Sequence, residues 1–112
     1  MNALVKDPLT WTDVGAATDI PLRGARRVPS PDGDIAVFRT GDGRVFALRD
    51  RCPHKGGPLS QGIVHGHAVT CPLHGRAIDL ASGELMGADR GQGCAHVVPL
   101  EVRDGRLLLG RA

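Results

Sequence analysis

The chain has 112 residues and a formal net charge of +2, a length that allows one modest core and leaves no room for two catalytic lobes. Sixteen Gly and eight Pro, against two Phe, one Trp and no Tyr, argue for short strands joined by many turns. The charge is small, and no basic run or set of stacking aromatics accompanies it, which argues against nucleic acid as a partner. Met1 to Thr10 lacks a charged start followed by an apolar run, and no long apolar segment occurs anywhere. A chain without signal peptide or membrane anchor is therefore expected, in the cytoplasm. Three Cys is an odd count, and in a reducing compartment metal ligation is favoured over a disulfide framework.

Read in order, the chain predicts strands and little else. Trp11-Thr12-Asp13-Val14 reads as a first short strand, Asp19-Ile20-Pro21 as a loop, and Gly24 to Val28 as a second strand. Ser30-Pro31-Asp32-Gly33 is turn chemistry. Ile35 to Arg39 and Arg44 to Arg49 flank Gly41-Asp42-Gly43 as a hairpin, and both runs are apolar on two faces, as strands covered on each side would be. Two short strands follow about His65-Gly66 and lead straight into Cys71, and Arg76 to Leu80 makes another. A last hairpin runs from His96 to Val102 and from Arg106 to Leu109 about Asp104-Gly105, with Pro99 suited to an edge or bulge. No helix, repeat or low-complexity segment is expected. The fold class is all-β, one domain over residues 1–112, with a small inserted metal-binding subdomain at about residues 50–86.

The chemistry is concentrated in Cys52-Pro53-His54 and Cys71-Pro72-Leu73-His74-Gly75, with sixteen residues between His54 and Cys71. Each cluster pairs a thiol with an imidazole, so two loops offer four soft-to-borderline ligands to one metal centre. A Cys2His2 zinc site usually pairs Cys with Cys and His with His. Here each loop supplies one of each, the order that suits a [2Fe–2S] centre with two Cys on one iron and two His on the other. Mononuclear zinc is the first alternative, and a Cys52–Cys71 disulfide with idle histidines is the second.

The residues around the ligands extend the match. Cys52-Pro53-His54-Lys55-Gly56-Gly57-Pro58-Leu59-Ser60-Gln61-Gly62, Cys71-Pro72-Leu73-His74, Ile78-Asp79-Leu80, Gly83-Glu84 and Gly93-Cys94 resemble the Rieske family, and within it look most like the small subunit of the assimilatory NAD(P)H-dependent nitrite reductase. The similarity runs from Trp11 to about Leu109. It implies a Rieske-type fold of three antiparallel sheets, one [2Fe–2S] cluster per chain, and electron transfer beside a large flavin and sirohaem subunit that reduces nitrite to ammonia. Gly75-Arg76 departs from the Asn-Trp common in that subunit and is closer to ordinary Rieske ferredoxins. Carried over, the resemblance places Cys52 and Cys71 on the inner iron and His54 and His74 on the outer one.

Neutral imidazoles in place of two thiolates leave the cluster less negative, which lifts potentials to roughly −150 to +300 mV. High-potential relatives add a loop disulfide and a Ser and a Tyr bonded to cluster sulfurs. This chain has Leu73 and Arg76 there and no Tyr, so a potential low in the range is expected. Gly56, Gly57 and Gly75 would let backbone N–H groups approach the sulfides, or are ordinary turn glycines. Lys55 and Arg76 would tune the potential or dock an acidic partner, or are solvated. His65 and His67 read as exposed turn histidines rather than a second metal site, and Cys94 as a small buried thiol rather than a fifth ligand.

Three functions compete at this point. The first is the nitrite reductase subunit, with no catalytic residues of its own and a large subunit as partner. The second is a free-standing ferredoxin that feeds a Rieske oxygenase, and the third a structural zinc module. A terminal oxygenase would need a 2-His-1-carboxylate iron in a second domain, and a respiratory subunit would need an anchor.

Overall fold

Among the described residues the chain folds into nine short strands. The computed structural model describes residues 10–53, 56–73 and 75–111. In chain order the strands are β1 (Thr10–Ala16), β2 (Gly24–Val28), β3 (Ile35–Arg39), β4 (Val45–Arg49), β5 (Ile63–His65), β6 (Ala68–Thr70), β7 (Ala77–Asp79), β8 (Leu100–Arg103) and β9 (Arg106–Arg111). They form three antiparallel sheets of three strands, ordered β1-β9-β8, β2-β3-β4 and β5-β6-β7. Among the described residues the helical pieces are single 3-10 turns at Ala17–Asp19, Leu59–Gln61 and Gly87–Asp89. The all-β expectation holds, and no helix among these residues is long and apolar enough to cross a membrane.

The central sheet serves two cores because a strand turns alternate side chains to opposite faces. From β3, Ala36 and Phe38 enter one core with Leu48, Cys52, Leu59 and Cys71. Ile35 and Val37 enter the other with Ile20, Ala47, Val98 and Leu107. The register keeps this sorting across the hairpin, since Ala36 lies opposite Leu48, Val37 opposite Ala47 and Phe38 opposite Phe46. A run apolar on both faces is the consequence. Cys52 and Cys71 therefore share one core with the face of the sheet that carries Phe38.

One predicted strand divides. Residues 96–98 continue the central sheet: Leu48 bridges to Val97, Val98 N–H donates to Ala47 O at 2.9 Å and Arg49 N–H to His96 O at 2.8 Å. Pro99 has no N–H with which to extend a ladder, and after it Leu100–Arg103 pairs with β9 instead. The chain thus changes sheets at Pro99 and ties the terminal sheet to the central one.

A polar clamp joins the β3–β4 turn to the β5–β6 turn. Asp42 accepts the Thr40 hydroxyl proton and bonds His67 Nε2 at 2.9 Å, while the His67 ring packs on Phe46 with centroids 5.5 Å apart. First the Thr40 hydroxyl and then the His67 ring hold the Asp42 carboxyl well below the usual carboxylate range. A carboxylate with a folded pKa below its unfolded one stabilises fully above about pH 4, and that contribution is lost as the pH falls through the folded value. Asp42→Asn is accordingly expected to flatten the pH dependence of the unfolding midpoint below about pH 4. Backbone circular dichroism on both proteins checks this.

Candidate metal centre

Two six-residue loops of matching design carry the predicted ligands. In the first, between β4 and the 3-10 turn at Leu59–Gln61, Cys52 N–H donates to Gly57 O at 2.8 Å and Gly56 N–H donates back to Cys52 O at 2.8 Å. In the second, between β6 and β7, Cys71 N–H donates to Arg76 O at 2.8 Å and Gly75 N–H to Cys71 O at 3.0 Å. Each Cys thus opens a loop that folds back on its own carbonyl four residues later. Gly56 and Gly75 stand at the folding point with φ of +72° and +68°, the left-handed region that a Cβ disfavours. Nothing lies within 4 Å of where a Cβ on Gly75 would sit, so backbone conformation, not close approach, is what asks for glycine there.

Gly57 is constrained by space. A Cβ there would stand 2.7 Å from Leu73 Cγ and 3.5 Å from Cys71 Sγ, which places the first loop directly against the second. Cys52 and Cys71 are each 2% exposed and belong to the same buried cluster. No disulfide joins them, so the Cys52–Cys71 bridge weighed from the sequence is not formed. His54, His74 and Lys55 lie outside the described residues. Among those described, no group of three or more His, Cys, Asp or Glu is gathered. Two buried thiols brought from two abutting loops into one apolar core are half of the donor set that a Cys2His2 iron–sulfur centre requires, and in this respect the residues fit the group.

Two supports were not legible in the sequence. Asp50 takes Ser60 N–H at 2.7 Å and the Ser60 hydroxyl at 2.6 Å, which closes the first loop from outside. The excursion over residues 84–94 touches both loops: Asp89 pairs with Arg76 in the second, and Gly93 packs on Pro53 in the first, with a Cβ position 3.3 Å from Pro53 Cβ. Neither a lone Asp–Ser pair nor a glycine contact leaves a sequence signal.

Other expectations change. Cys94 is exposed, not buried; it sits on the bridge between Glu84 and Cys94, and strand alternation turns the next residue, Ala95, into the core at 3% exposure. Arg76 is only partly exposed. Its guanidinium is paired with Asp89. His65 and His67 are exposed as expected, and each has its own partner, Thr70 Oγ1 at 2.6 Å and Asp42 Oδ2 at 2.9 Å.

Fold, loop design and ligand order together define a class. The family model described as the Rieske [2Fe-2S] domain matches residues 10–99, and the chain belongs to that family. Its fold is the Rieske fold and its cofactor a [2Fe–2S] cluster. Among individual proteins, the anthranilate 1,2-dioxygenase ferredoxin subunit of Burkholderia cepacia is 40% identical over 97 residues, 87% of this chain and 88% of that one. A Mycobacterium tuberculosis protein assigned as the small subunit of an NADH-dependent nitrite reductase superposes with a TM-score of 0.83 at 27% identity, over 95% of this chain and 98% of that one. The 4beta-methylsterol monooxygenase of Methylococcus capsulatus is 46% identical over 69 residues, 62% of this chain, and the match spans 19% of that longer protein.

Proposed function

We propose that this chain is a ferredoxin that carries one electron at a time to an oxygenase, with Cys52 and Cys71 on one iron of the cluster and His54 and His74 on the other. The observation that carries the reading is the pair of abutting, similarly closed loops that bring Cys52 and Cys71 into one buried core. Relatedness over nearly the full length of an oxygenase ferredoxin supports the choice of partner. The similarity to the nitrite reductase small subunit, also over nearly full length, favours a second reading, a subunit beside a large sirohaem protein. Residues 50–86 form the cluster-binding subdomain within a single domain in either case.

When bound, the cluster supplies a one-electron couple whose potential follows cluster charge, sulfur hydrogen bonds and solvent exposure. The protein's own residues do the rest. Burial of both thiols keeps water from the sulfur side, and the folded-back loops hold backbone N–H groups in fixed directions, so little reorganisation accompanies the change of charge. No disulfide braces the loops among the described residues and the chain has no Tyr, which supports a potential near the low end of the Rieske range.

Absorption and electron paramagnetic resonance of the purified and dithionite-reduced protein test the cluster: a red-brown chromophore with a two-His signal is expected, and a colourless protein with stoichiometric zinc would overturn the reading in favour of the zinc module. A redox titration should give a midpoint below zero. Co-purification with a sirohaem subunit, together with loss of nitrite reduction when this chain is removed, would replace the ferredoxin reading with the second one.

A further inference from the structure

The Arg76–Asp89 pair links residues thirteen apart in sequence, from the second metal loop to the 3-10 turn at Gly87–Asp89. The two side chains are only 27% and 28% exposed, whereas the pairs Arg27–Asp34, Arg103–Glu101 and Arg106–Asp13 are all at least 41% exposed. Solvent and salt screen the outer pairs strongly and this one much less. Arg76 also closes the loop, since its carbonyl accepts the Cys71 N–H. Asp89 meets the guanidinium at Nη1, the end of the side chain away from the loop backbone. Nε, nearer the backbone, is buried and has no hydrogen-bond partner among the described residues. The pair is therefore directional, with its positive end on the loop and its negative end on the 84–94 excursion.

From this arrangement we infer that Arg76 and Asp89 are positioning residues that set the electron affinity of the centre: Arg76 favours the reduced cluster, and Asp89 holds Arg76 in place while partly opposing it. The inference rests on the assignment of Cys71 as a ligand. Reduction adds one negative charge between the loops, and a fixed cation in a poorly screened flank stabilises that state more than the oxidised one. An anion on the far side of the cation subtracts from the effect. A brace without electrostatic action would respond to loss of either partner in the same way.

The two accounts separate in a redox titration of the loaded protein, with cluster content read from the absorption spectrum. Arg76→Gln is expected to lower the equilibrium constant for reduction about tenfold, 59 mV for a one-electron couple, and Asp89→Asn to raise it. Arg76→Lys keeps the charge and restores the wild-type midpoint. The exchange Arg76→Asp with Asp89→Arg keeps a pair but reverses its direction, and should lower the midpoint; it decides the matter if either single variant fails to load. Shifts of the same sign in Arg76→Gln and Asp89→Asn, or an unchanged midpoint in the exchange, would overturn the inference. A wild-type chain without a [2Fe–2S] spectrum would instead overturn the cluster assignment beneath it.

Discussion

Cys71→Ser is expected to yield a colourless protein with iron at background level, while Cys94→Ser keeps the full chromophore. Both positions are thiols, and only their surroundings differ. Cys71 is 2% exposed in the core shared with Phe38 and Leu59, and its loop is closed by its own N–H and carbonyl. A serine hydroxyl there is a hard donor that stays protonated, so it replaces the thiolate poorly as an iron ligand. It also leaves a hydroxyl in an apolar site, at a cost of about 1–3 kcal/mol unless it finds a partner. Cys94 faces solvent, where serine is nearly isosteric and costs little. Spectra and iron analysis of the two variants check this. A red-brown Cys71→Ser protein would remove Cys71 from the ligand set.

Gly83→Ala should be the most damaging of the glycine substitutions. Gly83 has φ of +78°, and a Cβ would lie 2.1 Å from Ala95 O and 3.1 Å from Ala95 C, backbone atoms that no rotamer change moves aside. The residue is also held on both sides: its N–H donates to Asp79 O and its carbonyl accepts Ala95 N–H, each at 2.7 Å. Relief of the overlap would break the turn after β7 and release the 84–94 excursion that touches both metal loops. A loss of about 3 kcal/mol or more is expected, and with it a fall in Tm of roughly 15 °C. Gly105→Ala is the control. Its φ is +77° but nothing lies within 4 Å of the added carbon, so it bears conformational strain alone, about 1 kcal/mol. Equal losses in the two variants would show that the contact with Ala95 is not what demands glycine.

The strands were legible because they depend on local chemistry. Ile35 to Arg39 and Val45 to Arg49 announce themselves through β-branched and aromatic residues around a Gly-Asp-Gly turn, and the turns at Gly33 and Gly105 through residues that tolerate positive φ. The metal loops were legible for a similar reason: Cys, Pro, His and Gly at short spacing have few other uses in one chain. The roles of individual glycines were harder to read. Gly56, Gly57 and Gly75 look alike in sequence, yet Gly56 and Gly75 answer to backbone conformation and Gly57 to a neighbouring loop.

By itself, then, the sequence determined the all-β class, most of the strands and the two loops that present Cys52 and Cys71, since periodicity, turn chemistry and ligand spacing are properties of short segments. Only the tertiary structure decided that β3 divides its side chains between two cores, that the chain changes sheets at Pro99, that Cys94 faces outward and that Arg76 is neutralised in part by Asp89. Each of these depends on which distant residue arrives at a given face. That is set by the packing of three sheets against one another, and no local pattern encodes it.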